Sequence, residues 1–441
     1  MISQPEIQQP TRGAFEDLRR GLSIADLKAN VISQTTELPL SISNGTKTPH
    51  APSSNTAADD VPELQTVLLL YQPKTRYALT PKHPVPEIRS EKNELLIKIE
   101  YIGLNPIDWK SSDFGWGIPT LPYISGRDFL GTVVRSSAPS RPIGSTVLAV
   151  STDYRDVRKS AYQHYAVSAA HTVCSLPLSG QSGLVDPSHA SLGVAFTAAV
   201  LALGVCLGVD FSSSGASGFD FLHLLRSGTP ASSIPADVRA ECLHGISEAE
   251  RARPGDWIAI WGGGTTTALM LTQLAKAAGL WVALVGDAKK HGGRVSQRGG
   301  GLAAPDLMID CWDEERAVDV LRGVAGGRLR LAVDTVSKET AGKLAEALTS
   351  EGGERVHLVG LSGAPKNVRE GVFVHTVPIK VFHEVEAVGL QTMDWLASLL
   401  REGKLVTPEV EVVEGGLRSV NGALDRMRKN EVPGKRLVVR L

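Results

Sequence analysis

The sequence predicts an α/β fold in which a β-rich domain is followed by a nucleotide-binding domain with a doubly wound parallel sheet. Three observations lead to this prediction: short apolar runs between residues 66 and 167, three consecutive glycines at 262–264, and alternating strand and helix patterns from there to residue 360. Short strands at regular spacing are typical of a compact β unit. Strands that alternate with helices indicate a parallel sheet with right-handed crossovers.

The β-rich part contains five runs of strand length. They are Val67–Tyr71, Glu94–Glu100, Thr132–Val134, Gly144–Val150 and Ala161–Val167. Turn residues, chiefly glycine and proline, stand between these runs, as they do between the strands of an antiparallel unit. The pattern therefore predicts a small all-β unit ahead of the glycines.

The centre of the second domain is a glycine turn between a strand and a helix. The run Trp257–Trp261 has strand length, and Thr265–Ala278 has apolar residues at helical spacing. Gly262, Gly263 and Gly264 stand between them. Glycine lets the backbone approach a pyrophosphate, and the start of the following helix presents N–H groups to that anion. The order predicts a nucleotide-binding βαβ unit, with an ordinary βα turn as the alternative.

Residues beyond the glycines extend this predicted site. Thr265, Thr266 and Thr267 stand at the helix start, where hydroxyl groups cap a helix and donate to phosphate oxygens. The next apolar run, Leu280–Gly286, ends in Asp287. An acid at this place in a βαβ unit is expected to accept a hydrogen bond from a ribose hydroxyl.

Composition argues against several classes of partner and site. The chain has 46 basic and 47 acidic residues and a net charge of −1, which predicts no binding to nucleic acid or to an anionic membrane. Its 4 cysteines are scattered without a C-x-x-C pair, which predicts a reducing, cytoplasmic location and neither a disulfide framework nor a cysteine-rich zinc site. The uncharged stretch Ala190–Val209 approaches the length of a membrane span. Its polar residues and flanking acids predict a buried helix instead.

Several separated motifs occur in an order that is typical of one family. They are Asn105–Lys110, Gly126–Gly131, Ala161–Tyr165, Phe196–Ala199, the glycine turn, Asp334–Val336 and Gly434–Arg436. In this order the chain resembles a medium-chain dehydrogenase/reductase. More narrowly, it resembles the zinc-independent branch that contains quinone oxidoreductases and fungal trans-acting enoyl reductases. The resemblance covers Thr66–Leu441 and implies a GroES-like catalytic domain with an inserted Rossmann-type domain.

The resemblance divides the chain into four parts. Residues 1–60, rich in Ser, Thr, Pro, Gln and Asn, are predicted to be a disordered extension. Residues 61–195 are expected to form the first part of the catalytic domain. Residues 196–375 are expected to form the Rossmann NADP-binding domain with an insertion at about 210–252, and residues 376–441 the return to the catalytic domain.

Two features of the sequence argue against a catalytic metal. The segment Asn105–Lys110 has no cysteine where zinc-dependent members carry one, and Arg127 stands where they carry a histidine. A guanidinium group cannot ligate zinc. We therefore expect no metal in the active site.

The resemblance also implies which residues act in that site. Lys110 is expected near the substrate carbonyl or the cofactor, Thr197 near the nicotinamide ring, and Asn105 is expected to take part in catalysis. The alternatives are a solvated lysine, a packed helical threonine and an asparagine that only fixes a turn.

The expected cofactor is NADPH. Asp287 alone suits the 2′-hydroxyl of NAD, whereas Lys289, Lys290 and His291 crowd the same turn and suit a 2′-phosphate. The residues at the end of a later strand candidate are also assigned to the cofactor, namely Val359, Gly360 and Leu361.

The expected activity is therefore NADPH-dependent, zinc-independent reduction of an activated C=C bond in an enoyl thioester or enone. The substrate is expected to be a small molecule or an acyl-carrier-bound chain, with a polyketide synthase as the partner in the second case. Two alternatives stay open, a quinone oxidoreductase and a catalytically inactive NADPH-binding regulatory protein.

Overall fold

The computed structural model describes residues 61–176, 185–214, 218–297, 303–350, 352–432 and 434–441. The extension predicted at residues 1–60 lies outside the described residues.

The strands, in chain order, are β1 (Leu64–Leu70), β2 (Ala78–Pro84), β3 (Glu94–Gly103), β4 (Tyr123–Ile124), β5 (Asp128–Ser136), β6 (Thr146–Val150), β7 (Tyr165–Ala169), β8 (Val173–Ser175), β9 (Trp257–Trp261), β10 (Trp281–Gly286), β11 (Leu307–Asp310), β12 (Leu331–Asp334), β13 (Val356–Gly360), β14 (Val372–His375), β15 (Val410–Val413) and β16 (Arg436–Arg440). The helices are α1 (Pro106–Phe114), α2 (Gly193–Leu201), α3 (Phe221–Ser227), α4 (Arg239–His244), α5 (Thr266–Ala277), α6 (Ala288–Gln297), α7 (Glu314–Val324), α8 (Lys338–Ala347), α9 (Lys380–Glu384), α10 (Glu386–Arg401) and α11 (Val420–Arg428).

Two sheets form the β-rich domain. The larger has the strand order β15-β16-β3-β5-β6-β8, with β7 also paired to β3, and the smaller has the order β2-β1-β4. Their inner faces share one core, to which β1, β3 and β5 contribute aliphatic side chains such as Leu68, Ile97 and Val133. Because β15 and β16 follow the nucleotide-binding domain in sequence, the chain returns to its first sheet, as the predicted architecture requires.

The second domain is a six-stranded parallel sheet with the order β11-β10-β9-β12-β13-β14. Side chains of β9 alternate between two cores. Ile258 and Ile260 pack on the side of α2 and α5, and Ala259 and Trp261 pack on the side of α7 and α8. A parallel strand must bury both faces in this way when helices cover both sides of the sheet. The predicted doubly wound α/β fold is confirmed.

The uncharged stretch Ala190–Val209 does not form a single regular α-helix. Helix α2 is followed by a π-helical turn at Ala202–Cys206, and the side chains of this turn are completely buried. The predicted burial is therefore confirmed. No helix in the described parts of the chain combines the length and apolarity needed to cross a membrane.

The insertion at about 210–252 contains the short helices α3 and α4, and the chain is not helical between α4 and β9. Helix α4 ends there because a turn follows, in which the Glu250 carboxylate accepts hydrogen bonds from the backbone N–H and the hydroxyl of Ser247, at 3.1 and 2.6 Å.

Candidate cofactor and substrate cleft

A cleft of about 1150 Å³ lies between the two domains. The carboxyl ends of β9, β10, β12 and β13 form one wall, through residues such as Gly262, Asp287, Thr335 and Leu361. Helices α1 and α2 and the start of β16 contribute the other wall. Strands β9 and β12 are neighbours whose crossovers run to opposite sides, and ligands bind at this switch point in open α/β sheets.

The glycine turn is packed too closely for any side chain at its first position. Gly262 has φ +113°, and a Cβ there would lie 2.0 Å from Oγ1 of Thr335. A Cβ on Gly264 would lie 2.6 Å from Nε2 of His291. Backbone that is free of Cβ atoms and faces a cleft fits a pyrophosphate, because the phosphate oxygens can approach the peptide N–H groups directly.

Two threonines hold the turn against the neighbouring strand. Thr265 is the N-cap of α5, and its Oγ1 accepts a hydrogen bond from the backbone N–H of Ala268 at 3.1 Å. The Thr335 hydroxyl donates to the carbonyl of Trp261 at 2.9 Å and lies 3.0 Å from Oγ1 of Thr265. Since the single proton of Thr335 goes to Trp261, Thr265 donates to Thr335. Thr265, Thr266 and Thr267 all line the cleft, together with the three glycines.

The end of β10 carries the residues expected to select the cofactor. Asp287 lines the cleft, and its Oδ1 accepts a hydrogen bond from the backbone N–H of Lys290 at 2.8 Å, so this carboxylate caps α6. Lys290 and His291 also line the cleft. Lys289 is exposed and does not line it, because successive residues of a helix point in different directions. The structure thus separates two lysines that the sequence pattern does not distinguish.

Lys110 stands in the cleft between two indole rings. Its Nζ lies 5.8 Å from the ring centroid of Trp109 and 5.7 Å from that of Trp116. All three side chains line the cleft. In the part of the chain that the structure describes, the Lys110 ammonium has no carboxylate within ion-pair distance. Its charge therefore remains available to a ligand.

Asn105 is buried and lines the floor of the cleft. Its Nδ2 donates to Oδ2 of Asp128 at 2.9 Å, and its Oδ1 accepts from Nη2 of Arg436 at 2.7 Å. Its backbone N–H donates to Oδ2 of Asp108 at 2.8 Å, which fixes the first turn of α1. The side chain therefore bridges a carboxylate and a guanidinium, and its predicted role in catalysis stays a prediction.

Two carboxyl groups beneath the cleft have raised pKa values. Burial raises the pKa of Asp128 to about 7 against the hydrogen bond from Asn105, and burial raises the pKa of Asp108 to about 6. Oδ1 of Asp128 also accepts the backbone N–H of Val194 at 2.9 Å, at the start of α2. These groups set the position of α1 and α2 relative to β5 and β16.

Three residues expected in the site do not reach the cleft. Thr197 is completely buried within α2, and the residues of that helix that line the cleft are Val194, Ala195 and Ala198. Val359 and Gly360 lie inside and at the end of β13, whereas Leu361, which was predicted with them, lines the cleft beside Ser362. Thr197, Val359 and Gly360 therefore do not line the cleft, and their predicted contacts with a ligand stay predictions.

Other residues of the cleft were not singled out as site residues. They include Trp312, Thr335, Ser362, Lys435 and Arg436, and the indole of Trp312 is 78% exposed. The motif at Gly434–Arg436 carried the family resemblance, which is the only signal in the sequence for the last two. Trp312 follows the strand next to β10 and has no periodic or motif signal.

Arg127 makes its surroundings unsuitable for a metal ion. It is 1% exposed, its guanidinium carbon lies 3.8 Å from the ring centroid of Tyr154, and its Nη2 donates to Oη of Tyr123 at 3.0 Å. A buried cation that stacks on an aromatic ring repels a second cation. The donor set at this place therefore does not fit a catalytic zinc ion.

Comparisons with known proteins show which proteins this chain resembles in sequence. Residues 91–186 match the alcohol dehydrogenase GroES-like domain. A trans-enoyl reductase, calK of Penicillium decumbens, is 24% identical over 387 residues, which is 81% of this chain and 92% of that protein. The trans-enoyl reductase himH of Aspergillus japonicus is 26% identical and covers 84% of this chain and 96% of its own length.

Solved structures share the whole fold. The quinone oxidoreductase of Escherichia coli complexed with NADPH superposes with a TM-score of 0.59 and 16% identity, covering 86% of this chain and 100% of that one. The quinone oxidoreductase of Pseudomonas syringae superposes with a TM-score of 0.61, 16% identity and the same two coverages. The chain thus contains a GroES-like domain and has the fold of these quinone oxidoreductases. Together with the similarity to trans-enoyl reductases, this supports the resemblance to the medium-chain dehydrogenase/reductase superfamily that the motifs predict.

Proposed function

We propose that this oxidoreductase uses NADPH to reduce the C=C bond of an α,β-unsaturated carbonyl compound, and that its substrate class is enoyl thioesters. The observation that carries the proposal is the Lys110 ammonium, which has no carboxylate partner among the described residues and lines the same cleft as the glycine turn. Addition of a hydride to the β-carbon of an enoyl thioester places negative charge on the carbonyl oxygen. A fixed cation stabilises that charge more than it stabilises the neutral substrate.

Bound NADPH would supply the hydride. The glycine turn and the first residues of α5 would hold its pyrophosphate, and Lys290 and His291 would contact its 2′-phosphate. Lys110 would orient the carbonyl and stabilise the enolate, and the α-carbon would take its proton from water. Trp109 and Trp116 would keep the ammonium in place and exclude bulk water from it, which increases its electrostatic effect.

The aromatic residues beside Lys110 favour an acyl chain as the substrate. Trp116 is 48% exposed, Phe114 is 58% exposed, and their ring centroids are 5.2 Å apart. Such an exposed apolar surface at the edge of a cleft is a typical binding site for an apolar chain. The similarity to trans-enoyl reductases supports an acyl-carrier-bound chain, with a polyketide synthase as the proposed partner.

A quinone reductase is the second candidate function. Two indoles on the wall of the cleft also suit a flat ring, and the quinone oxidoreductases named above share the fold. Hydride uptake by a quinone also places negative charge on a carbonyl oxygen, so turnover of each substrate, and not Lys110 alone, separates the two candidates. An inactive NADPH-binding protein would bind the cofactor and oxidise it with neither substrate.

The test compares parent protein with Lys110→Met and Lys110→Arg. NADPH oxidation is followed with enoyl thioesters of increasing chain length and with a quinone, and NADPH affinity is measured separately. We expect Lys110→Met to lower kcat/KM for enoyl thioesters by about 100-fold, the effect of removing one oxyanion-stabilising group. Lys110→Arg should retain most of the activity, and NADPH affinity should change little in either variant.

The outcomes test the role of Lys110 and separate the three candidate functions. Enoyl reduction that survives in Lys110→Met contradicts the role of this cation. Turnover of the quinone alone supports the second candidate, and tight NADPH binding without oxidation supports the inactive one.

A further inference from the structure

A second cluster of chemically reactive side chains lies outside the cleft. It consists of Cys206 from the π-helical turn after α2, Glu241 from α4 and His375 from the end of β14. One sulfur, one carboxylate oxygen and one ring nitrogen from these residues lie within 4.8 Å of one another. None of the three residues lines the cleft. The cluster joins the insertion to the edge of the parallel sheet.

The cluster is closed to solvent except at the carboxylate. The side chains of Cys206 and His375 are completely buried, and that of Glu241 is 12% exposed. Among the described residues, the Glu241 carboxylate has no lysine or arginine within ion-pair distance. Outside the cluster, it accepts a long hydrogen bond from the backbone N–H of Thr376 at 3.4 Å. A buried carboxylate without a cation is costly.

Both ring nitrogens of His375 have fixed partners. Nδ1 lies 2.6 Å from Oε1 of Glu241, and Nε2 lies 2.9 Å from Nδ1 of His357. A ring nitrogen and a carboxylate oxygen both present lone pairs, so a separation of 2.6 Å requires a proton or a cation between or beside them. When His375 donates its Nε2 proton to His357, its Nδ1 lone pair becomes available inside the cluster. A histidine that ligates a metal is typically held by such a second hydrogen bond.

We infer that Cys206, Glu241 and His375 form a structural binding site for a zinc ion. Thiolate, imidazole and carboxylate are the donors that zinc accepts, and a tetrahedral ion with bonds of about 2.0–2.3 Å requires donor separations of roughly 3.3–3.8 Å. The three ligand atoms lie within 4.8 Å of one another, so small side-chain shifts would bring them to these separations. One thiolate and one carboxylate would neutralise the two charges of the ion.

Binding of the ion would release one proton, shift two and transfer no electrons. The thiol proton would leave to solvent, the proton of His375 would move from Nδ1 to Nε2, and that of His357 would move from Nδ1 to Nε2, so that Nδ1 of His357 accepts the hydrogen bond from Nε2 of His375. The sulfur, Oε1 and Nδ1 would then bond to the ion, and a water molecule would enter from the exposed side of Glu241. The ion would tie α4 to β14, so its function would be to fix the insertion and not to act on the substrate.

Cobalt provides the direct test, because a cobalt–thiolate bond gives a charge-transfer absorption band. Untagged parent protein is dialysed against a chelator with a reductant and titrated with Co²⁺, and Zn²⁺ is then added as competitor. We expect one equivalent of Co²⁺ to give the band, Zn²⁺ to remove it, and Zn²⁺ to raise the melting temperature of the metal-free protein.

Variants locate the site. Cys206→Ala should abolish the band and the Zn²⁺-dependent rise in melting temperature, whereas Cys174→Ala should retain both. Cys174 is an equally buried cysteine in β8 and serves as the matched control. Glu241→Gln, at the exposed edge of the cluster, should weaken Co²⁺ binding at least tenfold and provides the test if Cys206→Ala does not fold.

The inference is overturned if the parent protein gives no band, or if Cys206→Ala retains it. NADPH affinity is measured in the same samples and should not depend on the metal, since the cluster lies away from the cleft. A failure of the zinc site therefore leaves the proposed function untouched.

Discussion

Replacement of Gly262 by alanine tests two reasons why this position of the turn requires glycine, namely its backbone conformation and its close packing. Gly262 has φ +113°, and a Cβ would lie 2.0 Å from Oγ1 of Thr335. Gly255, in the turn before β9, has φ +92°, and a Cβ there would have no atom within 4 Å. Gly262→Ala therefore introduces backbone strain and crowding, and Gly255→Ala introduces backbone strain alone.

The expected free energies follow from these two contributions. A side chain in the left-handed region costs about 1–2 kcal/mol, which both variants share. Overpacking adds about 1–3 kcal/mol for Gly262→Ala. The free energy of unfolding should thus fall by about 2–5 kcal/mol for Gly262→Ala and by about 1–2 kcal/mol for Gly255→Ala. Because Thr335 also holds Thr265, relief of the crowding should displace the turn and weaken NADPH binding by about tenfold or more.

Two measurements check this reasoning. Urea unfolding gives the free energies of the parent and both variants, and titration of the fluorescence of NADPH gives the dissociation constants. Gly255→Ala should bind NADPH as tightly as the parent. Equal losses of stability in the two variants, or unchanged NADPH binding in Gly262→Ala, would refute the proposed packing of the turn around the cofactor.

The remaining predictions concern the cofactor and the buried carboxylates. Lys290→Ala should raise the KM for NADPH about fivefold and leave that for NADH unchanged, while Lys289→Ala, outside the cleft, should change neither in steady-state kinetics. Trp312→Ala should weaken both cofactors equally, by about fivefold in binding titrations, because an exposed indole beside the ribose site would stack on the adenine common to both. The pKa of Asp128 is raised by burial from 3.8 to about 7, so the contribution of this group to stability falls as the pH rises through this window. In urea unfolding, the free energy of unfolding of Asp128→Asn should therefore increase relative to that of the parent from about pH 4 to pH 8. Asp153→Asn should show the opposite slope: its free energy of unfolding should decrease relative to that of the parent as the pH rises through the titration of this group. The reason is that the pKa of Asp153 is lowered, since burial raises it but nearby cations outweigh that effect. Parallel pH profiles for the two aspartate variants would contradict these shifts.

The parts of the site that one short segment encodes were predictable from the sequence. The strand, the glycine turn, the capping threonine and the acid after the second strand all lie between residues 257 and 287, and each follows from local preferences. The contact that fixes the turn involves Thr335, which is on another strand and 70 residues from Thr265. The motif Asp334–Val336 marks this segment by resemblance, but no local pattern predicts its contact with Thr265.

Helix phase explains the residues that were placed less well. A motif can assign Thr197 to the site, but the packing of α2 turns Val194, Ala195 and Ala198 toward the cleft and Thr197 into the core. Lys289 and Lys290 differ in the same way. The boundary of a helix decides which of two adjacent residues reaches a ligand, and sequence patterns locate boundaries only to within a few residues.

The pairing of β16 with β3 also constrains the route by which the chain folds. Asn105 follows β3 and receives a hydrogen bond from Arg436 at the start of β16, 331 positions further along the chain. As synthesis proceeds, the six parallel strands are complete well before β16 emerges, so the nucleotide-binding domain can fold while residues 101–103 at the end of β3 still lack their neighbour on one edge. We therefore expect the active site to be the last part of the molecule to form, with a nascent β-rich domain that depends on protection of this open edge until β16 arrives.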